Sequence, residues 1–203
     1  TAGGEPVQLL PGGGNPRWSP DGKSIALLAG AVYVLELNDE GQRKALRKVC
    51  ERETSNAYLG WGDNVGNALC WSPDGKTLAF TAAGARKFEG DNHGSGMPGG
   101  ADPLVVDRLL WKAPFGFSDQ RRTHVWTVPA AGGEPTPITS GDFDHHSIDW
   151  SPDGDLIVCI SNRTGNADGD SNTDLCLINV KTGNRVDNWS LSPGPEYQPV
   201  FER

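Results

Sequence analysis

The pentapeptide Trp-Ser-Pro-Asp-Gly occurs three times in this chain, at residues 18–22, 71–75 and 150–154. A short apolar run follows each copy within a few residues. The proline presets the backbone for the second position of a tight turn, and the Asp-Gly pair accepts the conformations that a turn requires. Each copy therefore predicts the end of one strand, a turn and the start of a second strand. A hairpin that recurs in this way predicts a repeat architecture.

The intervals between the copies indicate how long one repeat is. A propeller blade of four short strands takes roughly 40–50 residues. The interval from Trp18 to Trp71 fits one blade with a modest loop, and so does the interval from Trp150 to Phe201. Phe201 ends a Tyr-Gln-Pro-Val-Phe segment that is similar to the sequence ending at Trp18. The interval from Trp71 to Trp150 is longer by about 30 residues, which predicts an insertion in the second repeat.

These intervals predict a partial β-propeller over residues 1–203. Repeats are expected near residues 15–66, 67–146 with an insertion at about 84–122, and 147–196, and a fourth repeat is expected to begin at 197–203. Runs typical of strands fill the repeats at 31–37, 123–129 and 174–180. No segment keeps an apolar period of 3.6 residues, so no long helix is predicted. The predicted fold class is all-β, an incomplete β-propeller of four-stranded blades with about three to four blades present.

Charge and hydropathy narrow the classes of partner. The net charge is −8 and the chain has no basic run, so neither nucleic acid nor an anionic membrane is an expected partner. The longest apolar stretch, residues 25–37, contains Gly30 and is too short for a membrane-spanning helix. The chain begins at Thr1 without methionine or a signal segment, which predicts a processed or partial product. Its localisation stays open between the cytoplasm and the periplasm or the exterior.

The cysteines carry a limited signal. Cys70, Cys159 and Cys176 lie within apolar strand patterns, where a small buried thiol is the default. Cys159 and Cys176 could face each other across the hairpin of the third repeat, but spacing alone does not establish a disulfide. No cysteines have the spacing of metal ligands, and no cofactor is expected.

The repeats and several segments between residues 103 and 183 resemble a known family. The Trp-Ser-Pro-Asp-Gly-Lys turns followed by Ile-Ala or Leu-Ala-Phe are similar to propeller repeats of the prolyl oligopeptidase family of serine peptidases and of the Tol-system periplasmic propeller. The turn sequence by itself is shared by many propellers. An ordered set of further segments resembles the acylaminoacyl-peptidase and dipeptidyl-peptidase branch of the family: 104–109, 116–117, 121–126, 139–144 and 161–164.

This resemblance implies a serine peptidase of two domains, in which the propeller precedes a C-terminal α/β-hydrolase domain with a Ser-Asp-His triad. The propeller of such an enzyme shields the active site and admits short peptides. The hydrolase domain is absent from this sequence, so the chain is expected to be a non-catalytic propeller segment. Its implied partners are the hydrolase domain of the same parent and peptide substrates, and a homo-oligomer is left open. The alternatives are a Tol-like scaffold that binds proteins and a sensor or structural domain of a larger protein.

A direct search for a catalytic serine agrees with this expectation. The nucleophile of an α/β-hydrolase needs a Gly-x-Ser-x-Gly elbow between a strand and a helix. Ser95, Ser118 and Ser171 each lack part of that pattern, and none of them opens a helical segment. No catalytic residue is therefore predicted in this segment.

The basic residues of the insertion are candidates for substrate binding. Arg108, Arg121 and Arg122 could hold a substrate carboxylate, because arginine binds one in a bidentate manner. The alternative, which we favour, is that they are solvated or pair with the nearby Asp107 and Asp119.

Oxygen-bearing side chains alternate in the third repeat, as they do in calcium loops: Asn166, Asp168, Asp170, Asn172 and Asp174. The spacing departs from that of an EF-hand, and no bidentate glutamate follows at the twelfth position. A solvated hairpin loop explains the same residues, so no metal site is predicted. The adjacent His145 and His146 are likewise expected to make hydrogen bonds instead of binding a metal, because neighbouring strand residues point to opposite faces.

Overall fold

The computed structural model describes residues 13–53, 67–84, 112–113, 116–117, 121–165, 169, 172–189 and 194–202. Within this part of the chain, every regular element is a β-strand. In chain order the strands are β1 (Gly14–Trp18), β2 (Ser24–Leu28), β3 (Ala31–Leu37), β4 (Arg43–Glu51), β5 (Leu69–Trp71), β6 (Thr77–Ala83), β7 (Lys112–Ala113), β8 (Gly116–Phe117), β9 (Thr123–Pro129), β10 (Thr136–Pro137), β11 (His145–Trp150), β12 (Leu156–Ser161), β13 (Asp174–Asn179) and β14 (Arg185–Trp189). In the described part of the chain, no helix has the length and apolar composition needed to span a membrane.

Twelve of these strands form three antiparallel sheets, and each sheet contains four strands in chain order. The first sheet consists of β1 to β4, the second of β5, β6, β9 and β10, and the third of β11 to β14. The other two strands, β7 and β8, pair with each other. They lie in the chain between β6 and β9, within the segment predicted to be an insertion.

The Trp-Ser-Pro-Asp-Gly sequence forms the same turn in all three sheets. In each copy the serine hydroxyl donates a hydrogen bond of 2.6 Å to Oδ1 of the aspartate two residues later. The hydroxyl oxygen accepts a bond of 2.9 Å from the first backbone N–H of the next strand. The serine and a backbone N–H hold the pKa of each aspartate below its usual value (Asp21, Asp74 and Asp153). The predicted hairpins are therefore present, with shared side-chain bonds that stabilise them.

Two buried apolar clusters hold the sheets face to face. One joins the first and second sheets and includes Val34, Leu69 and Phe80. The other joins the second and third sheets and includes Cys70 and Ile157. Successive strand residues point to opposite faces, which is why Leu69 and Cys70 belong to different clusters. Stacked four-stranded antiparallel sheets are the blades of a β-propeller. The predicted fold class, an incomplete all-β propeller, is confirmed.

The tryptophans of the three turns differ in their burial. Trp71 is 7% exposed, lies in the cluster against the first sheet and donates its indole N–H to Arg17 O at 3.0 Å. Trp150 is 4% exposed and lies in the cluster against the second sheet. Trp18 is 59% exposed. Each buried tryptophan thus packs on the preceding sheet. Trp18 belongs to the first sheet, and Gly13 is the only described residue before that sheet.

The first strands of the first and third sheets carry a local irregularity before their aromatic ends. Among the described residues, three that are not glycine have a positive φ near 50°: Asn15, Ser147 and Gln198. Each lies three positions before an aromatic residue: Trp18, Trp150 and Phe201. In β1 and β11 the strand pairing shifts register at this point, as in a β-bulge. Residues 197–201 therefore share a backbone feature with β1 and β11.

The two ends of the stack differ in their connections. Because the strands alternate in direction, all Trp-Ser-Pro-Asp-Gly turns join strands at one end. At the other end, four longer connections join strands of the three sheets: residues 52–68, 84–122 (which contain β7 and β8), 138–144 and 162–173. We call this the long-connection end. The insertion and the oxygen-rich loop of the third repeat both attach to it.

Candidate functional site

A buried polar layer closes the interface between the second and third sheets at the long-connection end. Its side chains come from the start of β9, the start of β11 and the end of β12, and from the connections beside them. His124, Thr139, His145 and Ser161 are buried, and Arg163 is half-buried. His145 and Ser161 lie directly opposite each other in the β11–β12 pair. The strands therefore bring together polar residues that are up to 39 positions apart in the chain, from 124 to 163.

His145 is fully buried, and both of its ring nitrogens have partners. Arg163 Nη2 lies 2.8 Å from Nε2, and Thr123 O lies 3.3 Å from Nδ1. A guanidinium only donates hydrogen bonds, so Nε2 accepts and the proton lies on Nδ1, which donates to the carbonyl. Burial, followed by the Arg163 cation, lowers the pKa of His145 to about 3. This imidazole is neutral near pH 7 and has no nitrogen available to act as a general base.

His124 packs beside His145, with 5.5 Å between the ring centroids. Its Nδ1 lies 3.5 Å from Thr139 Oγ1, which accepts a hydrogen bond of 2.9 Å from Val125 N. Burial lowers the pKa of His124. The ring leaves no room for a side chain at Gly84, where a Cβ would lie 2.5 Å from His124 Cδ2.

Arg163 links the layer to the preceding connection. Its guanidinium lies over the ring of Phe143, 4.6 Å from the centroid, in a cation–π contact. Arg163 Nε is buried and has no hydrogen-bond partner among the described residues, and the same holds for Ser161 Oγ. Buried polar atoms are satisfied in most proteins. The layer therefore has two donors whose hydrogen-bonding capacity the described residues do not use.

The arginines singled out from the sequence make ion pairs at the same end of the stack. Arg121 is buried and pairs with Glu53. Arg122 Nε lies 2.7 Å from Asp142 Oδ1, and its Nη1 lies 2.9 Å from Asp144 Oδ2. The partners that the structure describes thus come from the neighbouring connections. Asp107, Asp119 and Arg108 lie outside the described residues, so pairing with Asp107 and Asp119 stays a prediction. A role in binding a substrate carboxylate stays a prediction.

The oxygen-rich loop is described only in part. Asn166, Asp168 and Asp170 lie outside the described residues. Asn172 Oδ1 accepts a hydrogen bond of 2.9 Å from Gly194 N, and its Nδ2 lies 3.3 Å from Asp174 Oδ1. Within the described residues, no three His, Cys, Asp or Glu side chains are placed to hold a metal ion. The calcium hypothesis therefore rests on the sequence pattern alone.

The adjacent histidines lie on opposite faces of β11, as expected for neighbouring strand residues. His145 is opposite Ser161, while His146 is opposite Ile160. His146 Nδ1 lies 3.0 Å from Ser147 Oγ, and burial lowers the pKa of His146 to about 4.

We expect these histidines to make the fold sensitive to acid. In the unfolded chain a histidine takes up a proton near pH 6.5, whereas folded His145 and His146 do so only near pH 3 and pH 4. Their contribution to stability is therefore complete above pH 6.5 and falls as the pH drops toward 4. At pH 5 each histidine lowers the free energy of unfolding by about 2 kcal/mol relative to pH 7. Urea denaturation at both pH values measures the loss.

His146→Gln supplies the matched comparison for this pH dependence. The variant lacks one of the two groups, so its loss of stability between pH 7 and pH 5 is expected to be smaller than that of the unmodified chain by about 2 kcal/mol. An unchanged loss would show that His146 takes up its proton equally well in the folded state.

Sequence reasoning identified the segments 139–144 and 161–164 but not the layer that they form. The alternation of strand residues between two faces could have predicted that Ser161 is buried, because it places Ser161 on the same face of β12 as Cys159. The contact of His124 with His145 had no such signal, because these residues belong to different sheets and nothing in the sequence gives the alignment of one sheet with the next.

The stacked four-stranded sheets define a segment of a β-propeller, and comparisons with known proteins agree with that class. No family model matches the chain. The curated protein "Uncharacterized peptidase YuxL" of Bacillus subtilis is 26% identical over 171 residues, which are 81% of this chain and 24% of that protein. The chain therefore spans about a quarter of the length of the curated relative that it matches.

Solved structures with the same fold include peptidases and a TolB protein. An acylaminoacyl peptidase in complex with Z-Gly-Gly-Phe-chloromethyl ketone matches with a TM-score of 0.55 and 20% identity, over 88% of this chain and 25% of that chain. The acylaminoacyl peptidase of Pyrococcus horikoshii has a TM-score of 0.53 and 20% identity, over 87% and 24%. A putative TolB from Agrobacterium tumefaciens has a TM-score of 0.51 and 20% identity, over 92% and 48%. The resemblance found in the sequence, to propellers of prolyl oligopeptidase-family peptidases, is thus confirmed.

Proposed function

We propose that this chain is the non-catalytic propeller segment of a serine peptidase of the prolyl oligopeptidase family. In the parent protein it shields the active site of a C-terminal α/β-hydrolase domain and admits short peptides. The observation that carries the proposal is the match to a curated peptidase over 81% of this chain but only 24% of that protein. A match of this kind is expected of one part of a larger enzyme.

The chemistry of the buried His145 and Ser161 supports a non-catalytic role for this segment. The most buried histidine, His145, has both nitrogens engaged and a pKa lowered to about 3. Ser161 is fully buried and is the last residue of β12, without the glycines of a nucleophile elbow. His145 is not suited to act as a general base and Ser161 is not suited to act as a nucleophile, which supports the assignment of the chemical step to another domain.

The repeat boundaries follow from the same proposal. Blades occupy residues near 15–66, 67–146 and 147–196, and a fourth begins at 197–203. The positive φ of Gln198, at the position that corresponds to Asn15 and Ser147, supports this last assignment. The hydrogen bond of 2.9 Å from Phe201 N to Asp149 Oδ2 of β11 also supports it, because the first strand of a following blade would lie beside β11.

The ion pairs of Arg121 and Arg122 suggest how the insertion serves the segment. Residues 84–122 enter and leave at the long-connection end. Arg121 and Arg122 fix the point of return to the connections that carry Glu53, Asp142 and Asp144. In this proposal they anchor the base of a gating insertion, and a substrate carboxylate would have to compete with three protein carboxylates to reach them.

The activity of the parent protein tests the proposal. The full-length parent is treated with a serine-reactive fluorophosphonate probe and with chromogenic peptides that carry either acylated or free amino termini, and this chain serves as the control. Labelling and turnover by the parent, with neither from this chain, are the expected results. Absence of both in a folded parent would overturn the peptidase assignment. It would favour the alternative of a protein-binding scaffold. The fold shared with a TolB protein is compatible with that alternative.

A further inference from the structure

Cys159 and Cys176 face each other inside the third sheet. They are direct partners in the antiparallel β12–β13 pair. Both are completely buried, and both belong to the apolar cluster between the second and third sheets, so their side chains lie on the same face. Direct partners in an antiparallel pair have Cα atoms about 4.5–5.5 Å apart. This separation lies within the range of about 4.4–6.8 Å that a disulfide spans.

The two cysteines have surroundings that shift their pKa values in opposite directions. Contact with the Cys159 thiol lowers the pKa of Cys176, and the Arg163 guanidinium lowers it further. The same contact, together with burial, raises the pKa of Cys159. Arg163 belongs to the polar layer, so the cysteine pair lies where the apolar core of the interface meets that layer. All four cysteines of the chain are present as thiols in this structure.

We propose that Cys159 and Cys176 are a site of disulfide formation that ties β12 to β13, with Cys176 as the attacking sulfur and Cys159 as the resolving one. A small-molecule disulfide is the oxidant. The Cys176 thiolate attacks one of its sulfur atoms, a mixed disulfide forms, and one small thiolate leaves. Cys159 then loses its proton and attacks the Cys176 sulfur, which releases the second small thiol. Two electrons pass from the cysteine pair to the oxidant, which is reduced to two thiols.

Burial determines when this reaction takes place. Neither sulfur is exposed, so the oxidant reaches the pair only when the second and third sheets separate or before they have packed. Once formed, the bond closes the connection of residues 162–173 into a covalent loop. A closed loop restricts the unfolded chain and thereby stabilises the folded one. The oxidised third sheet is thus expected to open less readily than the reduced one.

Oxidised glutathione is the probe that tests the site. The full chain is incubated with it in a low concentration of urea, which opens the interface transiently, and the remaining thiols are then alkylated and counted by mass spectrometry. The expected result is the loss of two thiols and a peptide that joins residues 159 and 176. The midpoint of thermal unfolding is expected to rise by about 5 °C or more. The proposal is overturned if the thiols become alkylated in this urea concentration but no such peptide forms, or if the oxidised chain melts at a lower temperature.

Two variants assign the roles of the sulfur atoms. Cys70 lies opposite Ala79, so Cys70→Ser is a matched control that is expected to retain the joined peptide. Cys159→Ser is expected to stop at the mixed disulfide on Cys176, and in that background Arg163→Gln is expected to slow its formation several-fold. Mixed disulfide on Cys159 in a Cys176→Ser chain, formed as fast as on Cys176, would overturn the assignment of the attacking sulfur. The joined peptide is read from the unmodified chain, so poor folding of a variant does not affect that result.

Discussion

Replacement of Trp71 by alanine is expected to lower the free energy of unfolding by about 3–5 kcal/mol. The indole ring is 7% exposed and fills the cluster between the first and second sheets, so its removal leaves a cavity at that interface. Its N–H also donates to Arg17 O at 3.0 Å, and this carbonyl would lose that donor. Since a domain is stable by about 5–15 kcal/mol in total, the loss is a large share of it.

The repeats supply the controls for this substitution. Trp18 occupies the same position of the same pentapeptide but is 59% exposed, so Trp18→Ala is expected to cost less than about 1 kcal/mol. Trp150, which is 4% exposed, is expected to behave like Trp71. Urea denaturation followed by circular dichroism compares the three variants. Similar decreases in the free energy of unfolding for Trp18→Ala and Trp71→Ala would contradict this interpretation. They would mean that the role of the tryptophan in the turn, and not its packing on the preceding sheet, determines the decrease.

Local chemistry explains why the fold class was predictable from the sequence. The serine, aspartate and glycine of each pentapeptide make their bonds within six residues, so the turn forms in the same way wherever the sequence occurs. The strand bounds at Trp18, Trp71 and Trp150 follow from that turn. The burial of the tryptophan does not, because it depends on whether another sheet lies on that side. Identical pentapeptides therefore occupy environments that the sequence does not distinguish.

In the candidate site, the sequence predicts the relative position of two residues only when both lie in the same strand or the same hairpin. The facing of Cys159 and Cys176 follows from the register of a single hairpin, and the opposite orientation of His145 and His146 follows from strand alternation. The partners of Arg122 did not follow, because Asp142 and Asp144 reach it from a different connection. Contacts between sheets depend on how the sheets align, and that alignment comes from the packing of both faces.

Replacement of Gly183 by alanine is expected to lower the free energy of unfolding by about 2–5 kcal/mol, through two separate effects. Gly183 has a φ of +67°, a conformation that strains any residue with a Cβ. An added Cβ would also lie 2.6 Å from the backbone oxygen of Ile138, which directly follows β10 of the neighbouring second sheet. This carbonyl belongs to the backbone, and Ile138 is itself held by a hydrogen bond of 2.9 Å from its N–H to Val125 O. The contact is therefore relieved only if the third sheet moves away from the second.

Gly41→Ala separates these two effects. Gly41 lies in the corresponding turn between the third and fourth strands of the first sheet, with a φ of +74°, and no atom lies within 4 Å of a Cβ built there. This variant is expected to lose only the cost of the backbone conformation, about 1–2 kcal/mol. The difference between the two variants in urea denaturation then measures the clash with Ile138. Equal losses would mean that the turn of the third sheet does not press on the second, and that the sheets meet only through their apolar faces.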